Sequence, residues 1–344
     1  MPLISVLIPC HNAAPWLQVA IDSVCTQTHR DLEILVYDDG STDDSGEIIR
    51  RSAAEDTRIV AMGETVNRGI VYALNIMLQA SRGDYIARMD SDDICLPRRL
   101  ERQLQFIEAG NADLCGTWFQ EFGNGIARAV RWHSGTDELR AAMLFQNTIC
   151  HPTVMAKREV FEAFDYRESC NLAEDYDLFV RSLARFRLAN LPEVLLRYRR
   201  HKQQATRARR LQMEEVTRRI RAEALQAQGI YASIDEQRIH NLVRAPQSIV
   251  SVTDLERIDT WLLKLLDHFD HPDAKQVIAS QWTRAAVRAA PQGWTMWRKY
   301  RSSPLHKLIG NRTIRDLDLA VLAALRLDYG SSTFEALRRF GLSA

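Results

Sequence analysis

Short apolar segments alternate with longer amphipathic segments over the first ninety residues of the sequence. The apolar segments, which are typical of strands buried on both faces, cover residues 4–8, 32–37, 58–62 and 83–88. Apolar residues recur at helical spacing over residues 14–27, 43–54 and 67–80. Because strands and helices alternate at this short spacing, we predict a mostly parallel α/β sheet with right-handed crossovers and helices on both faces.

The alternation becomes less regular after residue 96. The turn Gly123-Asn124-Gly125 predicts a hairpin between two strands. The elements predicted here are a helix over 97–109, strands at 113–122 and 126–132, a helix near 137–145, a strand near 150–156, a helix at 173–181 and a last strand at 195–199. These elements extend the same sheet, and we place its domain at residues 1–204.

From residue 205 onward the pattern is helical. A first helix is predicted to end near Gln228, before Gly229. The capping box Thr253-Asp254-Leu255-Glu256 predicts a helix through residue 268. Further helices are predicted near 273–290 and 314–324. We therefore expect a C-terminal α-helical appendage at residues 205–344.

Composition narrows the class of protein. The chain has 344 residues and a formal net charge of +1, which argues against nucleic-acid binding through a global basic field. Its six cysteines form no Cys-x-x-Cys pair, which favours reduced thiols. The N-terminal segment lacks the basic region of a signal peptide, and no apolar run is long enough to span a membrane. We expect a cytoplasmic protein, with peripheral contact at the inner face of the plasma membrane left open.

Polar clusters follow each of the first four predicted strands. They are His11-Asn12, Asp38-Asp39-Gly40-Ser41, Asn67-Arg68-Gly69 and Asp90-Ser91-Asp92-Asp93. Because ligands of parallel α/β sheets bind outside the carboxyl ends of the strands, four clusters on one edge predict a binding site there. The sequence has neither a Gly-x-Gly-x-x-Gly nor a Gly-x-x-x-x-Gly-Lys-Ser/Thr motif, so dinucleotide enzymes and P-loop phosphotransferases are disfavoured.

Three carboxylates are concentrated in Asp90, Asp92 and Asp93. Their mutual repulsion is unfavourable unless a cation or hydrogen-bond donors offset it. Carboxylate oxygens at a strand end suit Mg²⁺ or Mn²⁺ carrying a substrate diphosphate. The alternative is a solvated acidic turn before the next helix, and this motif alone does not decide between the two.

Taken together, the motifs resemble those of family-2 glycosyltransferases with the GT-A fold. The motifs in the family's order and spacing are Ile4-Ser5-Val6-Leu7-Ile8-Pro9 with Asn12, Asp38-Asp39-Gly40-Ser41-Thr42-Asp43, Asn67-x-Gly69, Asp90-x-Asp92-Asp93 and Glu174-Asp175. The resemblance covers roughly residues 3–201. It implies a Rossmann-like GT-A domain and an enzyme of the hexosyltransferase type. Such an enzyme transfers a sugar from a nucleotide-diphosphate sugar to an acceptor hydroxyl, with inversion at the anomeric carbon.

The resemblance also implies roles for individual residues. Asp175 matches the catalytic base, and Asp92 matches the metal ligand of the DxD motif, with Asp93 beside it. His201 resembles a histidine that approaches the metal or diphosphate, the alternative being an exposed residue in a basic segment. The residues implied in nucleotide-sugar binding are Pro9, His11, Asn12, Asp39, Asn67, Arg68, Asp90, Ser91 and Glu174. His11 departs from the family, which often has a tyrosine there.

The implied cofactor is a divalent cation, Mn²⁺ or Mg²⁺, and the implied donor is a nucleotide sugar, with UDP as the default and GDP or dTDP open. The implied acceptor is a saccharide or lipid-linked saccharide of a bacterial surface-polysaccharide pathway. One alternative is an inactive nucleotide-sugar-binding or scaffold protein, against which the presence of Asp92, Asp93 and Asp175 argues. The other is a nucleotidyltransferase, which would need a Gly-rich basic loop after the first strand.

Two further groups of residues leave alternatives open. Aromatic residues alternate with arginines and lysine over residues 282–301, which suits either helix packing or a membrane interface. Asn147 and the dipeptide His151-Pro152 recur in similar bacterial enzymes, and we favour a structural role for them.

Overall fold

A computed structural model describes residues 1–123, 125–201, 210–244, 250–310 and 312–334. The chain divides into two compact units. The first comprises Met1–Leu139 and Asn147–Ile220, and the second comprises Arg140–Gln146 and the chain from Arg221 onward. The predicted boundary between residues 204 and 205 lies outside the described residues.

One mixed sheet organises the first unit, with nine strands in the described residues. The strands are β1 (Ile4–Cys10), β2 (Leu32–Asp39), β3 (Ile59–Glu64), β4 (Tyr85–Arg88), β5 (Ile94–Cys95), β6 (Leu114–Gly123), β7 (Ile126–Val130), β8 (Met155–Lys157) and β9 (Leu188–Arg199). Their order is β3-β2-β1-β4-β8-β6-β9-β5, and β7 pairs with β6. Strands β3, β2, β1 and β4 are parallel, which confirms the parallel α/β sheet that the sequence predicts.

Helices connect these strands, and those in the described residues lie where the sequence predicts a helix, except Arg158–Ala163, which it does not predict. They are α1 (Ala14–Cys25), α2 (Ser45–Glu55), α3 (Ile70–Ala80), α4 (Arg99–Glu108), α5 (Thr136–Ala142), α6 (Arg158–Ala163) and α7 (Glu174–Ser182). The side chains of Leu17, Ile21 and Val24 on α1 are buried in the same apolar core as Ile4 and Ile8 of β1. Because all four parallel strands point the same way, their carboxyl ends and the polar clusters meet at one edge.

The second half of the sheet differs from the prediction in detail. The predicted strand at 150–156 begins with the 3₁₀ helix His151–Thr153, because Pro152 has no amide hydrogen to donate to a neighbouring strand. The paired strand β8 follows this turn, and it runs antiparallel to β4. The antiparallel pairing of Gly123 with Ile126 confirms the predicted hairpin of β6 and β7, although Asn124 lies outside the described residues.

The last strand of the sheet is longer than predicted. β9 begins at Leu188 rather than at residue 195, since its pairing with β6 continues through Asn190 despite Pro192. The pairing register shifts between Thr117 and Trp118 and again between Trp118 and Phe119, so the extra residues of this irregularity, Pro192 among them, belong to β9. The sequence missed β9's first residues because a polar residue and a proline interrupt the apolar run there.

A buried arginine braces the strand that leads into the acidic cluster. Arg99, at the start of α4, has no exposed surface, and its guanidinium donates to the carbonyl oxygen of Arg88 at 2.7 Å and of Val154 at 3.2 Å. Its Nε donates to Gln103 Oε1 at 3.0 Å. Arg99 therefore ties the end of β4, which leads into the acidic cluster, to the residue before β8.

Replacing Arg99 with methionine should lower the free energy of unfolding by about 3 kcal/mol, because buried acceptors lose their donors. Equilibrium urea unfolding would measure this loss. Arg98→Met is the matched control, since Arg98 is exposed and pairs with Glu101 three positions ahead, and it should change stability by less than about 0.5 kcal/mol. An equal loss in both variants would contradict the bracing role.

The second unit is helical in its described residues. Its helices are α8 (Arg210–Ala227, which contains the unit boundary), α9 (Ile234–Leu242), α10 (Val252–Leu266), α11 (Pro272–Arg288), α12 (Trp294–Ser302), α13 (Leu305–Leu308) and α14 (Arg312–Leu325). The capping box was predicted two residues too late. The Ser251 side chain accepts from the Asp254 amide at 3.0 Å, so Ser251 is the N-cap and Thr253 lies inside the helix.

Packing explains part of the aromatic and basic segment. Trp282 and Tyr300 are fully buried, and Trp282 Nε1 donates to the Tyr300 carbonyl oxygen at 3.1 Å. Arg288 is also buried, and its guanidinium donates to the Leu242 carbonyl oxygen at 2.7 Å. Trp294, by contrast, is exposed. None of the helices within the described ranges combines the length and the apolar character that a bilayer crossing requires.

Candidate functional site

The loops after β1 and β2 are joined by hydrogen bonds. His11 Nδ1 lies 2.9 Å from the Asp39 carbonyl oxygen, and Asn12 Oδ1 accepts from the Thr42 amide at 2.8 Å. The Asn12 amide donates to Ser41 Oγ at 2.9 Å. Asn12 has a φ of 50°, a left-handed conformation that asparagine tolerates better than most residues. The first two predicted clusters therefore form one surface, on which His11 is exposed.

Asp39 connects the second polar cluster to the third. Its buried carboxylate accepts from the backbone amides of Arg68 at 2.7 Å and Gly69 at 2.8 Å, at the start of α3. Each oxygen keeps a further lone pair that could accept from a ligand. The Arg68 side chain lies beside Glu64 at 3.2 Å and over the Tyr72 ring.

An arginine in the fourth strand holds the first aspartate of the acidic cluster. Arg88 is buried, and its Nη2 lies 2.5 Å from Asp90 Oδ1. Burial opposes the charged form of Arg88, but the Asp90 carboxylate outweighs it and raises the pKa of the guanidinium. Nε and Nη1 of Arg88 have no hydrogen-bond partner among the described residues. Sequence reasoning missed Arg88, although a charge inside an apolar strand is itself a signal.

Asp92 and Asp93 are held from the end of β9. His201 Nε2 lies 2.8 Å from Asp92 Oδ2, and its ring packs 4.1 Å from the Trp16 ring. The Arg199 amide donates to Asp93 Oδ1 at 2.8 Å, whereas the buried Oδ2 has no partner in the described part of the chain. His201 thus reaches the acidic cluster and is not an exposed residue of the basic segment.

The acidic cluster is suited to a divalent cation. Asp90, Asp92 and Asp93 each offer a carboxylate oxygen, and these oxygens lie within 4.8 Å of one another. Burial, and after it the charge of Asp90, raises the pKa of Asp92 and raises that of Asp93 well above its usual range. Buried carboxylates with incomplete donor compensation are the arrangement that a hard cation stabilises.

A second acidic pair begins helix α7. Burial raises the pKa of Asp175 to about 6, and the charge of Asp90 adds to this shift. Burial and the neighbouring Asp175 carboxylate raise the pKa of Glu174, whose Oε2 is buried without a partner in the described ranges. Carboxylates with raised pKa values near a binding edge can take up a proton close to neutral pH.

Residues of the segment 147–166 interact with this second pair. Asn147 Nδ2 donates to Asp175 Oδ2 at 2.7 Å. His151 is buried with its Nε2 2.9 Å from the Tyr166 hydroxyl, and burial followed by the Arg88 charge lowers its pKa well below the usual range. The structural role of His151 stays a prediction, whereas Asn147 contacts a predicted site residue.

The remaining predicted residues have fewer contacts. Pro9 is half-buried at the end of β1, and Ser91 is half-buried in the turn after β4. Asn67 is exposed, and its backbone nitrogen would lie 2.6 Å from a Cβ added to Gly40, which has a φ of 66°. Only glycine at position 40 therefore permits the loops after β2 and β3 to approach this closely. The roles of Pro9, Asn67 and Ser91 in binding stay predictions.

Comparison with known proteins identifies a family model and several glycosyltransferases that are similar to this chain. The family model described as Glycosyl transferase family 2 matches residues 5–164. An uncharacterized glycosyltransferase of Haemophilus influenzae is 30% identical over 238 residues, which are 64% of this chain and 73% of that protein. The O-antigen biosynthesis glycosyltransferase WbnJ of Escherichia coli is 30% identical over 58% of this chain and 81% of its own length. The putative glycosyltransferase EpsE of Bacillus subtilis is 32% identical, over 58% and 73% respectively.

Solved structures share the fold over most of the chain. Residues 1–349 of S. aureus TarS in complex with UDP-GlcNAc match with a TM-score of 0.56 and 16% identity, over 98% of this chain and 92% of that one. The mannosyltransferase PcManGT from Pyrobaculum calidifontis, in complex with GDP-Man and Mn²⁺, matches with a TM-score of 0.54 and 18% identity, over 94% and 86%. At these identities the likeness concerns the fold alone.

Proposed function

Since the chain belongs to glycosyltransferase family 2 and has the GT-A fold, we propose that it transfers a sugar from a nucleoside-diphosphate donor to an acceptor hydroxyl with inversion at the anomeric carbon. One observation carries the proposal. Burial raises the pKa of Asp175, and the charge of Asp90, in the cluster that suits a cation, adds to this shift, so the two acidic groups lie within electrostatic reach of each other. A donor diphosphate at the cluster would then lie next to a base.

The loops after β1, β2 and β3 would bind the nucleoside. His11 and Pro9 present a surface at the end of β1, and Asp39 offers buried acceptor oxygens beside the amides of Arg68 and Gly69. We assign Asn12 and Asn67 to the same surface. Hydrogen bonds between these loops would hold the surface ready before the donor arrives, which lowers the entropic cost of binding.

Asp92 and Asp93 would hold a divalent cation, with Asp90 and His201 beside them and Ser91 in the intervening turn. A bound Mn²⁺ or Mg²⁺ would supply positive charge that stabilises the leaving nucleoside diphosphate. The buried Oδ2 of Asp93, which has no hydrogen-bond partner among the described residues, supports this assignment, because such an oxygen is unfavourable unless a ligand compensates it.

Asp175 would act as the general base. The acceptor oxygen forms a bond to the anomeric carbon while the bond from that carbon to the donor phosphate oxygen breaks, and the acceptor proton passes to Asp175. The electron pair of the broken bond leaves with the nucleoside diphosphate. One base acting on the face opposite to the leaving group gives inversion. Glu174 would contact the donor sugar through Oε2, which has no partner in the described part of the chain.

The proposed base predicts a pH dependence. Asp175 accepts a proton only when it is ionised, and burial raises its pKa to about 6. Transfer should therefore be fully present above this pKa and lost as the pH falls through it, rather than only near the ordinary aspartate value of about 4. The profile of kcat/KM between about pH 5 and 8 would measure it. Circular dichroism at each pH would distinguish the loss of activity on the acidic side of the profile, its acidic limb, from acid unfolding. A flat profile would contradict the assignment of Asp175 as the base.

We further propose a UDP-sugar donor and a saccharide or lipid-linked saccharide acceptor of a surface-polysaccharide pathway. The name of WbnJ and the UDP-GlcNAc complex of TarS support this choice, although the GDP-Man complex of PcManGT supports a different nucleotide. A screen of UDP-, GDP- and dTDP-sugars for Mn²⁺-dependent binding and slow donor hydrolysis tests the function. Binding of nucleotide with no turnover of any donor, across a panel of acceptors, would favour the inactive scaffold instead.

A lipid-linked acceptor would make peripheral membrane contact useful. On α12, Trp294, Arg298 and Arg301 are exposed and lie on one face, a mixture that favours anionic lipid head groups. The full chain should therefore float with anionic liposomes and not with neutral ones. Replacing Trp294 by Ala and Arg298 by Glu should abolish flotation, and equal flotation of this variant would exclude α12 as the contact.

A further inference from the structure

Asn147 has a defined orientation against the proposed base. Its Nδ2 donates to Asp175 Oδ2 at 2.7 Å, and its Oδ1 accepts from the Ile149 amide at 3.0 Å. A flipped amide would place oxygen against a carboxylate and nitrogen against an N–H group, so only one orientation satisfies both neighbours. The backbone of the segment after Asn147 therefore fixes which group faces Asp175.

The Asp175 carboxylate is held at both of its oxygens. Oδ1 accepts from the Tyr176 amide at 2.7 Å in the first turn of α7, and Oδ2 accepts from Asn147. Two donors from different parts of the chain define the plane and rotation of the carboxylate. Each oxygen still has a lone pair for an acceptor hydroxyl, as a general base requires.

We infer that Asn147 is a positioning residue for the general base, which aims the Asp175 carboxylate at the acceptor hydroxyl and favours its ionised form. This inference rests on the proposed function. A hydrogen bond donated to a carboxylate stabilises the charged form, and a displacement of about 1 Å in a reacting group can cost about 10²-fold in rate. The side chain acts through Asp175 and needs no contact with substrate.

The charges around Asp175 make this neutral donor important. The charged and titratable groups that interact with Asp175 are Glu174, Arg88, Asp90, Tyr166 and Cys150. Arg88 is the cation among them, and its Nη2 already forms an ion pair with Asp90. Because carboxylates predominate and Asp175 is buried, the N–H group of Asn147 opposes protonation without adding a charge that would need its own partner.

Two variants of Asn147 test the inference. In Asn147→Ala, kcat should fall about 10- to 100-fold with the donor KM unchanged, because positioning is lost. The acidic limb of kcat/KM should move upward by roughly one pH unit, which is the scale of one charge-assisted hydrogen bond. In Asn147→Asp the limb should move further upward, since two carboxyl groups at hydrogen-bond distance cannot both be ionised.

Asn75→Ala is the matched control. Asn75 is also half-buried and bonds to backbone, its Nδ2 donating to the Tyr166 carbonyl oxygen at 2.9 Å and its Oδ1 accepting from the Tyr166 amide at 3.1 Å. It has no hydrogen bond to Asp175 within the described residues. Its variant should keep the wild-type pH limb even if stability falls.

The outcomes separate this inference from the proposed function. A lower kcat with an unmoved acidic limb in Asn147→Ala would make Asn147 merely structural and would overturn the inference. If Asn147→Ala does not fold, the acidic limb of kcat/KM is measured in Asn147→Asp, whose side chain has a similar size. An unmoved limb in that variant would also overturn the inference. Transfer that persists in Asp175→Asn would show that Asp175 is not the general base. If Asp175→Asn is inactive but both Asn147 variants keep the wild-type acidic limb of kcat/KM, only the inference about Asn147 is overturned.

Discussion

Replacing Asp175 with asparagine should lower kcat for sugar transfer by about 10²- to 10⁴-fold while UDP still binds with wild-type affinity. An amide cannot take the proton of the acceptor hydroxyl, so the loss falls on the chemical step. The shape of the site should be kept, because the Asn side chain can still accept from the Tyr176 amide. Single-turnover transfer measured beside UDP titration calorimetry would separate chemistry from binding.

Asp177→Asn is the matched control on the same helix. Asp177 is buried, and its Oδ2 pairs with Arg181 Nη2 at 2.7 Å, so it stabilises α7 through this ion pair. Its variant should unfold at a lower temperature yet keep the wild-type rate of the folded enzyme. Transfer within a few fold of wild type in Asp175→Asn would show that another group is the base.

Replacing Asp92 with asparagine should weaken Mn²⁺-dependent UDP binding by about 100-fold. The proposed cation supplies several kcal/mol of charge stabilisation at the diphosphate, and each 1.4 kcal/mol is tenfold in affinity. In the wild type, Mn²⁺ should raise the melting temperature because it binds the folded state, and EDTA should remove that gain. In the variant, UDP affinity should be the same with Mn²⁺ and with EDTA.

The control for Asp92 removes one negative charge at the other end of β4, the strand that precedes the acidic cluster. Asp84 lies exposed just before β4, so Asp84→Asn should keep the full response to Mn²⁺. Asp92→Asn with an unchanged Mn²⁺ response would exclude Asp92 as a ligand. An equal loss in both variants would indicate a general effect of charge rather than a cation site.

The local sequence was sufficient for the parallel half of the sheet. Strands buried on both faces require continuous apolar runs, and the intervening helices require a 3.6-residue period, so β1 to β4 were predictable within a few residues. The positions of the polar clusters follow from this topology, because parallel strands end at one edge. The acidic cluster and the Glu174-Asp175 pair were therefore found as residue types and placed at the correct element ends.

The second half of the sheet depends on partners that are distant in sequence. Strand β5 has only two residues, and its pairing with β9 joins residues about a hundred positions apart. The same pairing brings Arg199 and His201 to Asp93 and Asp92, which no local pattern indicates. For this reason the sequence alone leaves two alternatives open for His201.

The fold class, the family resemblance and the acidic residues follow from the sequence alone, because periodicity and short motifs are local properties. The neighbours of those residues follow only from the folded chain: Arg88 contacts Asp90, His201 contacts Asp92 and Asn147 contacts Asp175. Burial and hydrogen-bond donors set the charge state of a carboxylate, and several of these donors lie far from it in the sequence.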